Sequence, residues 1–285
     1  MTAKIEIVRT VADLRAAVAA WRRAGDSVGV VPTMGALHQG HISLIEAARA
    51  ACRRSIATIF VNPKQFGPRE DFSRYPRQEE RDRALLEAAG CDLLFAPPVE
   101  EMYPAGFATT VSLAGITDRW EGEARPGHFA GVATVVTKLL LQAMADKAFF
   151  GEKDYQQLQC VKRMARDLDI PCEIVGCPTV READGLAMSS RNAYLTPEER
   201  KAAPALHRAI TALAAAARAG QAVAAATEAG KAALRAAGFS GIDYIALVDA
   251  ETLEPLAALD RPGRVLGAAR LGAVRLIDNV AALPA

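Results

Sequence analysis

Short apolar segments alternate with helical patterns through roughly the first 175 residues, and this alternation limits the possible folds more than any other feature. Residues 56–61 (IATIFV) form an almost continuous apolar run, which is typical of a strand covered on both faces. Segments of helical period, 42–53 and 78–89, lie on either side of it. Strands separated by helices favour parallel βαβ units with right-handed crossovers. The sequence therefore predicts an α/β fold built on a doubly wound parallel sheet.

The pattern changes after about residue 180. Residues 196–199 (TPEE) combine a capping threonine, a proline and two acids, which predicts the start of a helix. Alanine-rich helices that break near Gly220 follow, and after them come strand-like segments with no helix between them: 242–248, 264–269 and 274–278. Such strands favour a small antiparallel sheet. We predict a first domain over residues 1–180 and a smaller α+β domain over residues 181–285.

The charge of the chain is nearly balanced, with 34 Lys and Arg against 33 Asp and Glu. A net charge of +1 gives no general attraction to nucleic acid or to an anionic membrane. The five cysteines are odd in number and lack CxxC spacing, which disfavours a disulfide framework or a zinc site and fits a reducing compartment. The longest apolar-rich stretch, 131–145, contains Lys138 and Gln142 and is too short to span a bilayer. We expect a cytoplasmic protein without nucleic-acid or membrane partners.

The first motif with chemical meaning is PTMGALHQGH at residues 32–41, between a predicted strand and a predicted helix. Ligands of a doubly wound sheet bind at the carboxyl ends of strands, and a helix N-terminus attracts anions. Gly35 and Gly40 would allow phosphate to approach the backbone. His38 and His41 could donate to phosphate oxygens and to a leaving pyrophosphate. The HxGH pattern at such a junction is typical of nucleotidyltransferases and class I synthetases.

Other interpretations of this motif are open. A glycine turn with two surface histidines, or a two-histidine metal site, would use the same residues. A Walker P-loop is excluded because Gly40 is followed by His41 and Ile42 rather than by Lys and Ser or Thr. The chain has no GxGxxG motif either, so nothing supports a nicotinamide cofactor.

Two more polar segments come directly after predicted strands. Asn62 and Gln65 supply uncharged amides, which suit a small substrate with a hydroxyl and a carboxylate. Lys153 could hold a phosphate, Asp154 could accept from a ribose hydroxyl or cap the helix, and Gln157 follows one turn later. The alternatives are an ordinary Asn-Pro turn for the first segment and helix-start electrostatics for the second.

A fourth segment, residues 188–192 (MSSRN), precedes the second domain's first long helix. Its two hydroxyls and its guanidinium suit a triphosphate, and its alternative is a polar linker. Together the four segments predict ATP-dependent nucleotidyl transfer to a small polar substrate. Their spacing does not identify that substrate.

The chain resembles the pantothenate synthetase (pantoate–β-alanine ligase) family of the HxGH nucleotidyltransferase superfamily. The resemblance covers nearly the whole length and rests on six ordered segments: PTMGALHQGH (32–41), FVNPKQFG (60–67), DFSRYPR (71–77), RPGHFAGVATVV (125–136), FFGEKDYQQL (149–158) and DGLAMSSRN (184–192). It implies a Rossmann-like nucleotide- and pantoate-binding domain, a C-terminal lid domain, magnesium (Mg²⁺) and a homodimer. It also implies ATP-dependent condensation of (R)-pantoate with β-alanine to pantothenate, through pantoyl adenylate, with release of AMP and pyrophosphate.

The resemblance further implies residue roles. His41 occupies the general acid position and would be catalytic together with His38, Lys153 and Arg191. The implied ATP-binding residues are Met34, Gly35, Ala36, Leu37, His38, Gln39, Gly40, His41, Gly151, Glu152, Lys153, Asp154, Val180, Met188, Ser189, Ser190 and Arg191. Gln65 would contact both pantoate and β-alanine, and Gln157 would contact pantoate. Asp82 stands where some members place a magnesium-associated acid, but Arg81 precedes it instead of a second acid, so Mg²⁺ is also expected to arrive on ATP.

Two other functions stay open. A different HxGH nucleotidyltransferase would act on a phosphorylated acceptor, for which the uncharged amides of Asn62 and Gln65 are less suited than basic groups. A non-catalytic regulator would bind ATP without releasing pyrophosphate, and the fold alone does not exclude it.

Overall fold

The computed structural model describes residues 4–68 and 70–284. The predicted domains, 1–180 and 181–285, also include residues 1–3, 69 and 285, which lie outside the described residues. The chain divides into two compact units. The first comprises the residues up to Glu152 and Gln157–Pro178, and the second comprises Lys153–Gln156 and the residues from Thr179 onward.

The first unit contains a parallel sheet whose described strands run in the order β1-β4-β3-β2-β5-β6. Their bounds are β1 (Glu6–Val8), β2 (Val28–Thr33), β3 (Arg54–Ile59), β4 (Leu93–Phe95), β5 (Lys147–Gly151) and β6 (Glu173–Cys177). The order reverses between β2 and β5, because the chain proceeds from β2 to β3 and β4 on one side and from β5 to β6 on the other. This reversal creates the crevice at the carboxyl ends of the strands where sheets of this kind bind ligands.

Helices cover both faces of the sheet. They are α1 (Val11–Arg23), α2 (Gln39–Ala51), α3 (Glu79–Ala88), α4 (Val99–Met102), α5 (Glu121–Ala124), α6 (His128–Ala143) and α7 (Tyr155–Asp167). Neighbouring residues of a strand point to opposite faces. Val30 and Ile56 accordingly lie in one buried cluster, whereas Val31 and Ala57 lie in another on the opposite face. The predicted parallel α/β fold is confirmed.

The second unit is an α+β structure with its own core. Its helices are α8 (Pro197–Ala202), α9 (Ala205–Arg218) and α10 (Val223–Ala236), and its strands are β7 (Gly241–Asp249), β8 (Gly263–Leu271) and β9 (Val274–Ala282). Thr196 and Glu199 form a reciprocal capping box at the start of α8, as the TPEE segment predicts. The strands pair in antiparallel order, and α9 buries Leu206, Ile210 and Leu213 in the core. None of the described helices has the length and apolar character needed to cross a membrane.

Candidate active site

The loop after β2 is held in an uncommon conformation. Thr33 ends β2, and its hydroxyl donates to the carbonyl oxygen of Thr58 at 2.6 Å and accepts from the N–H of Gly35 at 3.1 Å. Gly35 and Ala36 both have positive φ angles, 82° and 52°. Ala36 is sterically strained in this left-handed region, so the loop needs outside support to keep its shape.

Asp82 of α3 provides that support. Its carboxylate accepts hydrogen bonds from the backbone N–H groups of Ala36 and Leu37, each at 2.8 Å. The side chain is buried, and burial raises its pKa above the ordinary value although the two N–H groups act in the opposite direction. A Cβ atom at Gly35 would lie 3.0 Å from the Asp82 carboxylate, so the loop and the acid fit closely. Asp82 therefore fixes the backbone of the loop after β2.

The same contacts concern the magnesium role expected for Asp82. Both carboxylate oxygens of Asp82 already accept N–H groups of the loop. Within residues 4–68 and 70–284, no three His, Cys, Asp or Glu side chains gather into a group that could hold a metal ion. The Asp82 carboxylate therefore holds the loop, and because each of its oxygens keeps a second lone pair, its association with magnesium stays a prediction.

His38 and His41 form the start of α2 as a reciprocal cap. His38 Nδ1 accepts from the N–H of Gly40 at 3.1 Å, and His41 Nδ1 accepts from the N–H of His38 at 3.3 Å. A ring nitrogen that accepts cannot carry the proton, so each neutral imidazole carries it on Nε2. The rings lie 4.2 Å apart between centroids. The local fold thus provides two Nε2–H donors at the helix N-terminus, where an anion is favoured. Gln39 is the first residue of α2.

The amide of Asn62 is oriented by backbone groups. Its Oδ1 accepts from the N–H of Lys64 at 3.2 Å, and its Nδ2 donates to the carbonyl oxygen of Gly131 at 3.1 Å. The hydroxyl of Tyr103 also donates to Oδ1, at 2.8 Å. Burial raises the pKa of Tyr103 to about 12, so this donor stays protonated at neutral pH. Gly131 allows α6 to approach, because a Cβ there would lie 2.2 Å from the carbonyl oxygen of Lys64.

The orientation of Asn62 determines that of Gln65. Asn62 Nδ2 donates to Gln65 Oε1 at 2.9 Å, so the amide nitrogen of Gln65 points the other way. This nitrogen lies 3.2 Å from the sulfur of Met34, which belongs to the loop after β2. A thioether sulfur is a weak acceptor. Gln65 thus presents an N–H donor beside the loop after β2, and such a donor suits a hydroxyl or carboxylate oxygen of a small ligand.

A buried histidine supports the backbone of Gln65. His128 Nδ1 lies 2.9 Å from the carbonyl oxygen of Gln65, and His128 Nε2 lies 3.1 Å from Nη1 of Arg125. The carbonyl can only accept and the guanidinium can only donate, so the neutral ring carries its proton on Nδ1. Arg125 in turn pairs with both carboxylate oxygens of Glu70. Burial, together with the charge of Arg125, lowers the pKa of His128 to about 4.

This lowered pKa predicts a specific loss of stability in acid. The folded pKa of His128 is about 4 and the ordinary value is 6.5, so the unfolded chain binds the proton more tightly. The free energy of unfolding is therefore unaffected above about pH 6.5 and falls by about 3 kcal/mol as the pH drops to about 4. Urea unfolding of the wild type and of His128→Asn at pH 7 and pH 4 measures this difference. Asparagine can still donate to Gln65 but does not titrate, and equal pH dependence of the two proteins would contradict the prediction.

The third predicted segment is divided between the two units. Gly151 ends β5, and Glu152 begins a short 3-10 turn that continues through Asp154. Gly151, Glu152 and Gln157 belong to the first unit, whereas Lys153 and Asp154 belong to the second. All five residues are half-buried, and Lys153 Nζ lies 3.6 Å from Asp154 Oδ1.

The fourth segment is ordered by a local hairpin in the second unit. Met188 donates its N–H to the carbonyl oxygen of Val180 at 3.0 Å, and a bridge pairs Arg181 with Ala187. Ser189 then caps a 3-10 turn, Ser190–Tyr194, by accepting from the N–H of Arg191 at 3.3 Å. This turn packs against β9. Val180, Met188, Ser189, Ser190 and Arg191 thus belong to one small structure.

Direct contacts connect some of the predicted residues within each unit. In the first unit, the loop at 34–41, Asp82 and Gln65 are linked by direct contacts. Sequence reasoning missed Tyr103, which carries no motif, and gave Arg125 no role although it lies in the RPGH segment. In the second unit it missed the residues of β8 and β9 that contact the segment 153–156.

A parallel sheet with an HxGH segment at its reversal point, two Nε2–H donors and an adjacent amide donor defines a Rossmann-like nucleotidyl-transfer protein of the HxGH class. The family model described as Pantoate-beta-alanine ligase matches residues 6–281, and the chain belongs to this family. The resemblance and the ligase class predicted from the sequence are confirmed.

Named relatives agree with this assignment. The chain is 60% identical over 284 residues to a pantothenate synthetase of Paramagnetospirillum magneticum, with 100% of both chains covered. It is similar to the crystal structure of pantothenate synthetase from Thermus thermophilus, with a TM-score of 0.93, 56% identity, and coverage of 98% of this chain and 100% of that one. A pantoate-beta-alanine ligase from Francisella tularensis, complexed with beta-gamma ATP and beta-alanine, has a TM-score of 0.82, 33% identity and 97% coverage of both chains.

Proposed function

We propose that this chain joins pantoate to β-alanine in an ATP-dependent reaction that passes through pantoyl adenylate. Membership of the pantoate–β-alanine ligase family supports the overall reaction, and the Francisella tularensis relative supports ATP and β-alanine as ligands. The contact between Gln65 Nε2 and Met34 is the structural observation that supports the proposal, because an amide N–H donor beside the loop after β2 suits a small hydroxy acid. Nucleotidyl transfer requires this proximity of acyl group and phosphate.

The proposed chemistry needs no nucleophile from the protein. The carboxylate oxygen of pantoate attacks the α-phosphorus of ATP, a P–O bond forms, and the bond to pyrophosphate breaks. The amine of β-alanine then attacks the acyl carbon, loses a proton, and AMP leaves with the bridging oxygen. The protein positions the reactants and neutralises the charge of the leaving group.

The residue roles follow from the donors that each segment presents. The groups assigned to the phosphates are His38, His41, Lys153, Ser189, Ser190 and Arg191. The backbone and remaining side chains of Met34–His41, Gly151–Asp154, Val180 and Met188 complete the ATP contacts. Gln65 and Gln157 orient pantoate, and Gln65 also contacts β-alanine.

The metal and the assembly are part of the proposal. Mg²⁺ would be held mainly by the phosphates of ATP, which are its usual ligands at nucleotide sites, with Asp82 as the acid nearest the loop after β2. Bound in this way it neutralises phosphate charge. The active form is a cytoplasmic homodimer, as the family resemblance implies.

An isotope experiment tests the proposed reaction against its rivals. Purified protein is supplied with ATP, Mg²⁺, β-alanine and pantoate labelled with ¹⁸O in the carboxylate, and each component is left out in turn. We expect one ¹⁸O atom to appear in AMP, and turnover only when pantoate and β-alanine are both present. Label in inorganic phosphate would contradict the adenylate. Turnover without amine would favour another nucleotidyltransferase, and ATP binding without pyrophosphate release would favour a regulator.

A further inference from the structure

The segment Lys153–Gln156 belongs to the second unit, although the residues on both sides of it in sequence belong to the first. Hydrogen bonds attach it to the second-unit sheet and the neighbouring loop. Asn279 Nδ2 donates to the carbonyl oxygen of Lys153 at 2.9 Å, and the hydroxyl of Tyr155 donates to the carbonyl oxygen of Ala250 at 2.8 Å. The guanidinium of Arg264 also lies over the ring of Tyr155, 4.0 Å from its centroid.

The amide of Asn279 has one possible orientation. Arg264 Nε can only donate, and it lies 2.6 Å from Asn279 Oδ1, so this atom is the oxygen. The amide nitrogen must then face the carbonyl oxygen of Lys153, which can only accept. Asn279 and Arg264 are both buried, so water does not readily replace these bonds.

The backbone of Asn279 is also fixed. Its N–H donates to Oδ1 of Asp278 at 2.7 Å, and its carbonyl oxygen accepts from Arg181 Nη2 at 3.2 Å. Arg181 pairs with both oxygens of the buried Asp278 carboxylate. A continuous hydrogen-bond network therefore leads from the Asp278–Arg181 ion pair through Asn279 to the backbone of Lys153.

We propose that Asn279 and Arg264 are positioning residues for Lys153, which rests on the phosphate-binding role proposed above. The lysine side chain is long and flexible, so the point from which it extends decides where its ammonium group can reach. Asn279 fixes that point through the carbonyl of Lys153, and Arg264 holds both the amide of Asn279 and the ring of Tyr155. Displacement of a catalytic group by about 1 Å costs about 10²-fold in rate.

The substitution Asn279→Asp isolates this link. The carboxylate has nearly the same shape and still accepts from Arg264, so the interior contacts of the second unit are retained. Toward Lys153 it presents an oxygen instead of an N–H group, and the two oxygens repel each other. We expect the rate of pyrophosphate release from ATP and pantoate to fall about 10-fold or more, and the KM for ATP to rise.

The rate of the second half-reaction separates a local effect on Lys153 from a general structural defect, because a general defect would lower this rate as well. Added pantoyl adenylate and β-alanine react after pyrophosphate has left, so Asn279→Asp should change this rate by no more than about twofold. Asn279→Ala, which loses the bond without repulsion, should show a smaller effect of the same kind. Asp243→Asn is the matched control, because it breaks the Asp243–Arg275 pair in the same sheet without touching residues 153–156. It should leave both half-reactions unchanged.

Two results would overturn the proposal: wild-type pyrophosphate release by Asn279→Asp, or an equal loss of both half-reactions in Asn279→Asp and Asn279→Ala with a lowered melting temperature. A wild-type protein that forms no pyrophosphate would instead refute the proposed function. In that case the Kd for ATP, measured by calorimetric titration, tests the inference separately. The inference requires Asn279→Asp to bind ATP more weakly than the wild type and the Asp243→Asn control do.

Discussion

Replacing His41 with alanine is expected to slow pyrophosphate release by about 10²-fold or more, as the loss of one preorganised donor does. His41 Nδ1 accepts from the N–H of His38, which leaves the proton on Nε2 and makes the ring a donor. Charge develops on pyrophosphate as it leaves, so this donor matters more in the transition state than in the bound substrate. Rapid-quench measurement of the first half-reaction gives the rate directly.

The alanine variant also removes half of the cap of α2, so its effect needs a control. Asparagine at position 41 can place an oxygen near the position of Nδ1 and keep the cap, whereas glutamine can place an N–H group near that of Nε2. We expect His41→Asn to be as stable as the wild type but slow, and His41→Gln to recover part of the rate. Near-normal pyrophosphate release by both His41→Ala and His41→Asn would remove His41 from the catalytic machinery.

The sequence predicts the fold well where local signals are strong. The run at 56–61 indicates a buried strand. The structure has β3 at Arg54–Ile59, with residues in the buried clusters on both faces of the first-unit sheet. The TPEE segment predicts the start of α8, and its capping box forms as expected. In these places apolar period and cap chemistry act over a few residues, so they can be recognised without knowledge of the tertiary fold.

Contacts between distant residues could not be predicted in this way. The short strand β1 gains its place by pairing with β4, more than eighty residues later in the chain. Asp82 resembles an ordinary acid in the first turn of a helix, and only the fold brings its carboxylate to the N–H groups of Ala36 and Leu37. Asn279 contacts a carbonyl 126 positions away. A polar residue in a strand gives no sign in sequence of which distant group it will meet.

The HxGH motif depends on Asp82 for its conformation. The histidines supply the donors, but the loop that leads to them contains Ala36 in a left-handed conformation. The buried carboxylate keeps this loop in place through two backbone N–H groups. The conformation of this loop therefore requires two separate segments of the chain, 33–41 and the start of α3. Only the first segment is recognisable as a sequence pattern.

Substitution of Lys153 by alanine is expected to reduce the rate of adenylate formation by about 10²-fold or more. Its ammonium group is the cation assigned to the phosphates in the segment after β5, and it lies 3.6 Å from the Asp154 carboxylate. Lys153→Arg keeps the charge but changes its shape and should recover part of the rate. Lys162→Ala, which removes an exposed lysine from the same helix region, should leave the rate unchanged and thereby separates the local role of Lys153 from a general loss of positive charge.

The two half-reactions again give the decisive comparison. A cation that stabilises leaving pyrophosphate has no such task once pyrophosphate has gone, so Lys153→Ala should convert added pantoyl adenylate and β-alanine to product at a rate within about twofold of the wild type. An equal loss in both half-reactions would show that Lys153 acts on the adenylate or on the fold. We expect the loss in Lys153→Ala to be confined to the first half-reaction, as is the smaller loss expected for Asn279→Asp. This result would mean that the ammonium group of Lys153 and the amide of Asn279, which holds the Lys153 backbone, serve the same step.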